Sequence, residues 1–595
     1  MKQGNIGHWS DEKKNSNLLI FTQLVNELLF DYSIPSNKIS TLNSHYLCYD
    51  AMITISTIEE NGVPEGTLKP IAEEFYDVLN KDIVFQITEE KPIKYFIKKT
   101  SERYIPAKPS DLNYQELKLI ISAIHNKFFS NNWYFNTLKT EISKRVKSSD
   151  NTEWRDLFKL TKIYLTELVN GGYDARYIYE KLHYYFYSTH TPSDEISIDS
   201  FLNTFDFTEH DYKVIIKAPT CVKKVFSFSK KIKPINDIGL SSKSKNGKIF
   251  LNKLPKTSFY SLSVKSCDKY RAVALSRRIV ERIFSQYKLF DHKLTVDLES
   301  LSYAVVKNNF DLDIIDNPKG ALLKKGTLPK SRLTDNMNIC QKVFSLLSKE
   351  GNIHDLHTLS KALLLHSHSL DSDSEENQLL DLWSIFETVL DINNKHTSDR
   401  IQQICFLLIP ILKRKSLFSL FEQLANDIYL YSEELYKNIT GQNKVEKSGI
   451  YAICRFVLLD SQKELRERLL QEMNSFPLLK ERIIYYNEML SSREKCAFFI
   501  EKHLNRIRWQ IMRIYRNRNL IIHNGERMPY LGLLIENLHY YVDDFIEYVI
   551  ESLSKGLTLY NMELDLFVEE QEWMAYFSKK KEVISNEDID YLLDC

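Results

Sequence analysis

The chain lacks most of the patterns that announce a familiar chemistry. Its 595 residues contain no G-x-x-x-x-G-K-[ST], G-x-G-x-x-G, H-E-x-x-H or G-x-S-x-G, so P-loop ATPase, dinucleotide-binding, zincin and esterase readings have no support. The eight cysteines (Cys48, Cys221, Cys267, Cys340, Cys405, Cys454, Cys496, Cys595) are scattered, with no C-x-x-C pair to suggest zinc or a redox motif. They read as reduced thiols of a cytoplasmic protein. The longest apolar run, "CFLLIPIL" at 405 to 412, is far too short to span a bilayer, and "MKQGNIGHWSDEKKNS" at the start lacks the apolar core of a signal peptide. A soluble, intracellular protein without a membrane partner is the expectation. Net charge is missing as well: Lys+Arg and Asp+Glu both count 79, so any charged surface must be local.

What is present is ordinary globular material, 43% hydrophobic and 27% charged, over a length that a prior of about 150 residues per domain divides into three or four units. Twelve of the fifteen prolines precede residue 330. Long helices therefore have room mainly in the C-terminal part. The expected fold is mainly α: a helical N-terminal region over 1–204, a smaller mixed α/β domain over 205–305, a connector over 306–375, a helical bundle over 376–555 and a charged tail over 556–595. Within the α/β part, "DYKVIIKAP", "VKKVFSFSKKI" and "FYSLSVKS" read as strands and "DKYRAVALSRRIVERIFSQYKLF" as the helix after them.

That α/β segment holds the one strong local charge. Between Lys213 and Lys256 stand twelve lysines and a single acid, Asp237, a local net of +11. Phe226, Phe228 and Phe250 are interleaved with them. Lysines with aromatics on strands suit a phosphate backbone and stacked bases, which makes Lys223, Lys224, Lys230 and Lys231 candidate RNA contacts. The plainer reading is a solvated sheet edge, since edge lysines also block aggregation.

The stretch "YRNRNLIIHNG", 515 to 525, ends a helix predicted from about Arg493 to His523, with Asn524-Gly525 in the capping region and Pro529 beyond. At about 100° per residue, Ile511, Ile514, Tyr515, Ile521 and Ile522 surround Arg518, while Asn519, His523 and Arg516 form a polar strip at roughly 100° to 160°. An arginine in the centre of an apolar arc needs an acidic partner. The helix "ENQLLDLWSIFETVLD" offers Glu387 among Leu379, Leu380, Phe386 and Leu390, so Glu387 and Arg518 are expected to meet in a small buried network. Such a pair can serve only to set helix register. The neighbouring asparagine and histidine add groups that can hold a phosphate and move a proton.

At these residues the chain resembles HEPN domains, the higher-eukaryote and prokaryote nucleotide-binding helical bundles. Arg518-Asn519-Leu520-Ile521-Ile522-His523 fits the R-N-x-x-x-H form of their R-x(4–6)-H signature, and "MRIYRNRNLIIHNG" is similar to the corresponding helix of HEPN proteins from bacterial anti-phage systems. "LLDLWSIFETVL", with Trp383 and Glu387, resembles their first helix, and "LGLLIENLHYYVDDFIEYVIESL" has the length and amphipathicity of the helix after the motif. The similarity spans 376 to 555. "FYSLSVKSCDKYRAVALSRRIVERIF" is similar to a strand-to-helix element of proteins that carry such domains.

The resemblance implies an endoribonuclease that needs no metal or other cofactor, with a site built from two motif copies across a homodimer interface. His523 would be the general acid/base, Arg518 would stabilise charge growing on the phosphate, and Asn519 would orient either. Glu387 would fix Arg518 and Arg516 would add a substrate contact. The product would be a 2′,3′-cyclic phosphate. It further implies an antiviral effector held inactive until a phage-derived or nucleotide trigger arrives, then cleaving RNA, with tRNA one candidate. The competing expectation is a non-catalytic module that binds nucleotide or RNA, or only dimerises, as a sensor or scaffold. Two other signals carry less. His354, His357, His366 and His368 lack a nearby acid or cysteine to complete a metal set and read as structural or surface histidines. Asp311 and Asp313 lack the glycine-serine element of nucleotidyl transfer.

Overall fold

The computed structural model describes residues 6, 9, 17–29, 38–60, 68–88, 95, 98–99, 114–148, 154–188, 194–235, 245–252, 256–292, 298–306, 312–315, 330–349, 353–372, 374–390, 400–473, 475–525, 528–577 and 582–594. They form two compact units: Met1–Thr166 with Thr189–Asp194 and Ala321–Cys595, and Glu167–Ser188 with Glu195–Gly320. The architecture is mainly helical with one small antiparallel sheet.

The first unit opens with α1 (Asn17–Leu28), α2 (Ser44–Glu59) and α3 (Leu68–Lys81). Every residue of α1, "NLLIFTQLVNEL", is buried: its apolar residues are core, and among its polar ones Asn17, Thr22 and Gln23 donate to backbone carbonyls. Its one acid, Glu27, is fully enclosed and pairs with Arg482, which also reaches Asp427 at 3.4 Å. Asn43 caps α2 by accepting from the Tyr46 amide at 3.1 Å.

The second unit is built on β1 (His210–Pro219), β2 (Lys233–Ile235), β3 (Thr257–Ser266), α4 (Lys269–Lys288), β4 (Ser302–Val306) and β5 (Leu312–Ile315), with strand order β2-β3-β1-β4-β5. Alternation divides β1 between two cores: Val214, Ile216 and Ala218 join the one shared with α4, Ile215 the smaller one with Phe250 and Phe259. Asp268 caps α4, accepting from the amides of Tyr270 at 2.8 Å and Arg271 at 2.9 Å, and it also takes the Asp174 amide at 2.7 Å. The sheet runs on to Ile315, beyond the expected boundary at 305. "VKKVFSFSKKI" is not a strand. Val222, Val225 and Phe226 stand at i, i+3 and i+4, and this helical spacing is satisfied by a 3-10 turn, Thr220–Val222, running into a short helix, Lys223–Ser227, which together bury all three.

The chain then returns to the first unit with α5 (Lys330–Lys349), α6 (Ile353–Asp371), α7 (Glu375–Leu390), α8 (Arg400–Tyr431), α9 (Pro477–Met489), α10 (Arg493–Asn524), α11 (Leu531–Ser554), α12 (Leu559–Phe577) and α13 (Asn586–Asp594). Trp383 and Phe386 of α7, Ile511 and Ile514 of α10, and Leu538 and Phe545 of α11 share its main core. Two expectations are corrected. Helices α5 and α6 are not a connector, because Val343, Leu347, Leu359 and Ala362 belong to the same core. Residues 556–595 are not a tail: Met562 and Leu566 of α12 enter that core, and Ile589, Leu592 and Leu593 of α13 are buried. Periodic apolar positions among the charges made these segments helices that needed cover.

Burial, outweighing the three amide donors, pushes the Asp268 carboxyl up to about 6. The folded unit therefore binds more protons here than the unfolded chain. Its stability should fall as pH rises from about 4, the ordinary carboxylate value, through that raised pKa. Asp268→Ala removes the cap and should cost about 1–2 kcal/mol, whereas Asp268→Asn should keep it and flatten the pH dependence. Denaturant unfolding at pH 4 to 8, followed in the second unit, distinguishes the two.

Candidate active site

Helix α10 carries the motif. It starts on Ser492, whose hydroxyl accepts from the Lys495 amide at 3.3 Å, and stops at Gly525, where φ is 65° and the amide donates to the Ile521 carbonyl. A left-handed residue is needed to end the helix, and glycine adopts that conformation without a Cβ clash.

Both sides of α10 are covered. Ile511 and Ile514 pack into the main core, towards α7 and α11. On the opposite side stand Arg513, Arg516 and Leu520, which face the N-terminal helices. Leu520 clusters with Met528 and Tyr530, with Leu42 and Ile53 against them. Arg516 donates to Asp50 Oδ2 of α2 at 2.8 Å, the Tyr530 hydroxyl donates to Asp50 Oδ1 at 2.6 Å, and Arg513 lies 3.5 Å from Asp50 while pairing with Glu74 of α3. Asp50 is 1% exposed and the two arginine side chains 3% each. Burial alone would raise the Asp50 carboxyl, but Arg516, Arg513 and the Tyr530 hydroxyl outweigh it and hold it below the usual carboxylate range. The Tyr530 phenol is pushed up by the same burial and the same carboxylate.

Arg516 is thus not available to substrate, and its expected contact role is corrected. The helical wheel placed it on a polar border because the wheel treated the bundle as free-standing; α2 and α3 supply the acids that bury it. Arg518 is corrected in the other direction. The arc around it opens at the C-terminal end, where Ile522 is 46% exposed, and the Arg518 side chain keeps 26% exposure.

Around Arg518 the structure brings together several of the singled-out residues. Arg518 Nη2 lies 3.6 Å from Glu387 Oε1, and its Nη1 donates to Asn519 Oδ1 at 3.1 Å. The Trp383 indole donates to the same Glu387 oxygen at 3.0 Å, and its ring packs against Tyr515 at 5.7 Å. Arg400 donates to the Glu387 backbone carbonyl at 3.1 Å. The guanidinium is therefore tethered on one side and open on another. The backbone of α10 continues through His523, whose side chain falls outside the described residues.

Lys223, Lys224, Lys230 and Lys231 are all exposed and belong to the second unit. Of the aromatics interleaved with them, Phe226 and Phe250 are core residues, and only Phe228, 76% exposed and edge-on to Tyr287, stands on the surface. Among the histidines, His368 pairs with Asp381 at 2.8 Å. His366 does have an acidic partner, Asp543, far along the chain. Asp313 accepts from Lys269 at 2.7 Å, and Asp311 lies outside the described residues.

The sequence reading missed Asp50, Glu74, Arg513 and Tyr530. The signal for Asp50 was nevertheless available: an acid inside the apolar run "YLCYDAMITI" calls for a base just as Arg518 called for an acid. Asp50→Ala leaves two buried guanidiniums short of a partner and should cost about 3–5 kcal/mol. Because the native carboxyl sits below its unfolded value, its contribution is fully present above about pH 4 and is lost as pH falls through the native pKa. Urea denaturation of wild type and variant at pH 7 and pH 3 reads both effects. A difference under about 0.5 kcal/mol at pH 7, the scatter of an ordinary surface substitution, would contradict this account.

Comparison with protein families, curated proteins and solved structures finds none that matches the chain.

Proposed function

We propose that the chain is a metal-independent endoribonuclease of the HEPN type, an antiviral effector held inactive until triggered. The observation that carries this reading is the placement of Arg518: about a quarter exposed at 26%, tethered by Glu387, touching Asn519, and one turn before His523 on a helix that ends directly after it. Arg513 and Arg516, whose ion pairs hold the same helix in place, are by contrast enclosed. In the proposed reaction His523 takes the 2′-hydroxyl proton or protonates the leaving 5′-oxygen. Arg518 meets the growing charge on the phosphate, and Asn519 orients the phosphate or the imidazole. The attack forms the bond from the 2′-oxygen to phosphorus and breaks the one to the 5′-oxygen, leaving a 2′,3′-cyclic phosphate. A second copy across the exposed end of α10 would complete the site.

Purified protein is incubated with RNA, tRNA included, in EDTA, wild type beside His523→Ala, and the product ends are analysed. General acid/base catalysis contributes about 10²- to 10⁴-fold, so the variant should fall by at least that factor while its circular dichroism is unchanged. Cleavage that persists in His523→Ala would refute the assignment. If neither protein cuts, overexpression in cells under phage challenge separates an enzyme awaiting its trigger from a binding module: only the enzyme is toxic in a His523-dependent way.

We assign RNA contact to the lysines of the second unit on the strength of their shared exposure beside Phe228. Replacing Lys223, Lys224, Lys230 and Lys231 with glutamine should weaken RNA binding and flatten the log K against log salt slope by about 0.7 for each lost single-strand phosphate contact. An unchanged slope in filter-binding titrations would return them to the role of a solvated surface.

A further inference from the structure

Helix α11 carries a second constellation on residues that the proposed ribonuclease chemistry does not use. His539 and Asp543 are one turn apart and so project from the same side of the helix. His366 reaches them from α6. One oxygen of Asp543 lies 2.9 Å from His366 Nε2 and the other 3.3 Å from His539 Nδ1, while the two imidazole rings are 5.0 Å apart. One ligand atom from each of the three lies within 4.8 Å of the others. His539 is almost enclosed, with 6% side-chain exposure, whereas His366 and Asp543 keep 22% each.

We propose that His366, His539 and Asp543 bind a divalent transition-metal ion, zinc foremost, with water at the remaining position. Two imidazoles and a carboxylate are the nitrogen and oxygen donors that suit zinc and its neighbours, and they discriminate against magnesium and calcium, which take oxygen ligands. Tetrahedral zinc with bonds of about 2.0–2.1 Å holds its donors roughly 3.3 Å apart. The Asp543 contacts, 2.9 and 3.3 Å, are near that spacing but use different carboxylate oxygens, so turning the carboxylate and the imidazoles has to draw one oxygen and both nitrogens together from within 4.8 Å. The carboxylate that now bridges the two rings supplies the negative charge that a dication needs. Three protein donors with one position left to solvent is the open form of zinc site, and the partial exposure of His366 and Asp543 gives the ion a way in. A bound ion would cross-link α6 to α11, the helix that packs against both α7 and α10.

Untagged full-length protein, stripped with chelator and dialysed, is titrated with zinc chloride by calorimetry and followed by thermal unfolding; cobalt(II) is the optical probe. Wild type should take up one equivalent with micromolar or tighter affinity, gain several degrees in Tm, and give the visible d–d bands of a nitrogen- and oxygen-ligated cobalt centre. Asp543→Asn and His366→Gln should lose all three responses. His366 is on the rim, so its variant retains the test if Asp543→Asn fails to fold. His368→Ala, at the neighbouring surface histidine, should behave as wild type. Zinc uptake by wild type no greater than in His366→Gln, or an equal loss in His368→Ala, would show adventitious surface binding and overturn the site. RNA cleavage does not enter any of these readouts, so the result stands apart from the ribonuclease proposal.

Discussion

One carboxylate decides how the motif helix can be used. Asp50 is enclosed between Arg516 and Arg513 and held by the Tyr530 hydroxyl. Removing charges from water costs several kcal/mol per ion, a cost recovered only when geometry is good and the remaining hydrogen-bonding capacity is filled. The group meets most of that condition: Asp50 uses both oxygens and Arg513 has Glu74 as a second anion, while Nε of Arg513 and of Arg516 is buried without a hydrogen bond among the described residues. As a result α10 is gripped ionically from the N-terminal side and by apolar packing from the bundle side, so its rotation about its own axis is fixed from both directions.

That double grip explains why the polar residues of the motif are at the end of the helix. Early in α10 Glu494, Lys495, Glu501, Lys502, Arg506 and Arg508 face solvent, whereas no residue from Trp509 to Leu520 is fully exposed. Beyond it Ile522 is already half-exposed and Gly525 ends the element. Within the stretch of α10 that is held from both sides, groups that must be rigidly placed and also reachable fit in this last turn and a half. The same logic holds for α1, whose buried Glu27 meets Arg482, which has Asp427 as its second anion. The N-terminal region is joined to the C-terminal helices through enclosed ion pairs as well as through apolar area.

The sequence made the periodic parts of this molecule legible. The long helix, its Gly525 terminus, the α7 helix with Glu387, strands β1 and β3 and the helix α4 all follow from local spacing and capping chemistry, which act within a few residues. What escaped were relations between distant segments. The helical wheel of α10 ranked Arg518 as buried and Arg516 as bordering because a wheel contains one partner surface, and the second surface came from residues 439 and 466 positions earlier. The lysine segment misled for another reason: V-F-S-F alternates like a strand while Val222, Val225 and Phe226 have helical spacing, and only tertiary cover chose between them. His366 looked isolated because Asp543 is 177 residues away.

The three arginines of α10 can be separated by what each contributes. Breaking an enclosed pair costs about 3–5 kcal/mol, and that accounts for Arg513 and Arg516 as structural residues. A pair with the exposure of Arg518 and Glu387, at 3.6 Å, belongs to the class worth about 0–1 kcal/mol. Stability therefore gives little reason for an arginine at 518, where a leucine would bury more apolar area beside Tyr515 and Ile514. Nor does stability require Trp383 and Glu387 to hold the guanidinium in one orientation. A fixed, partly hydrated cation with unused donors is an unfavourable way to fill that space in a resting protein and a suitable one for meeting an anion. The function proposed above rests on this difference in energetic scale between residues of the same kind on one helix.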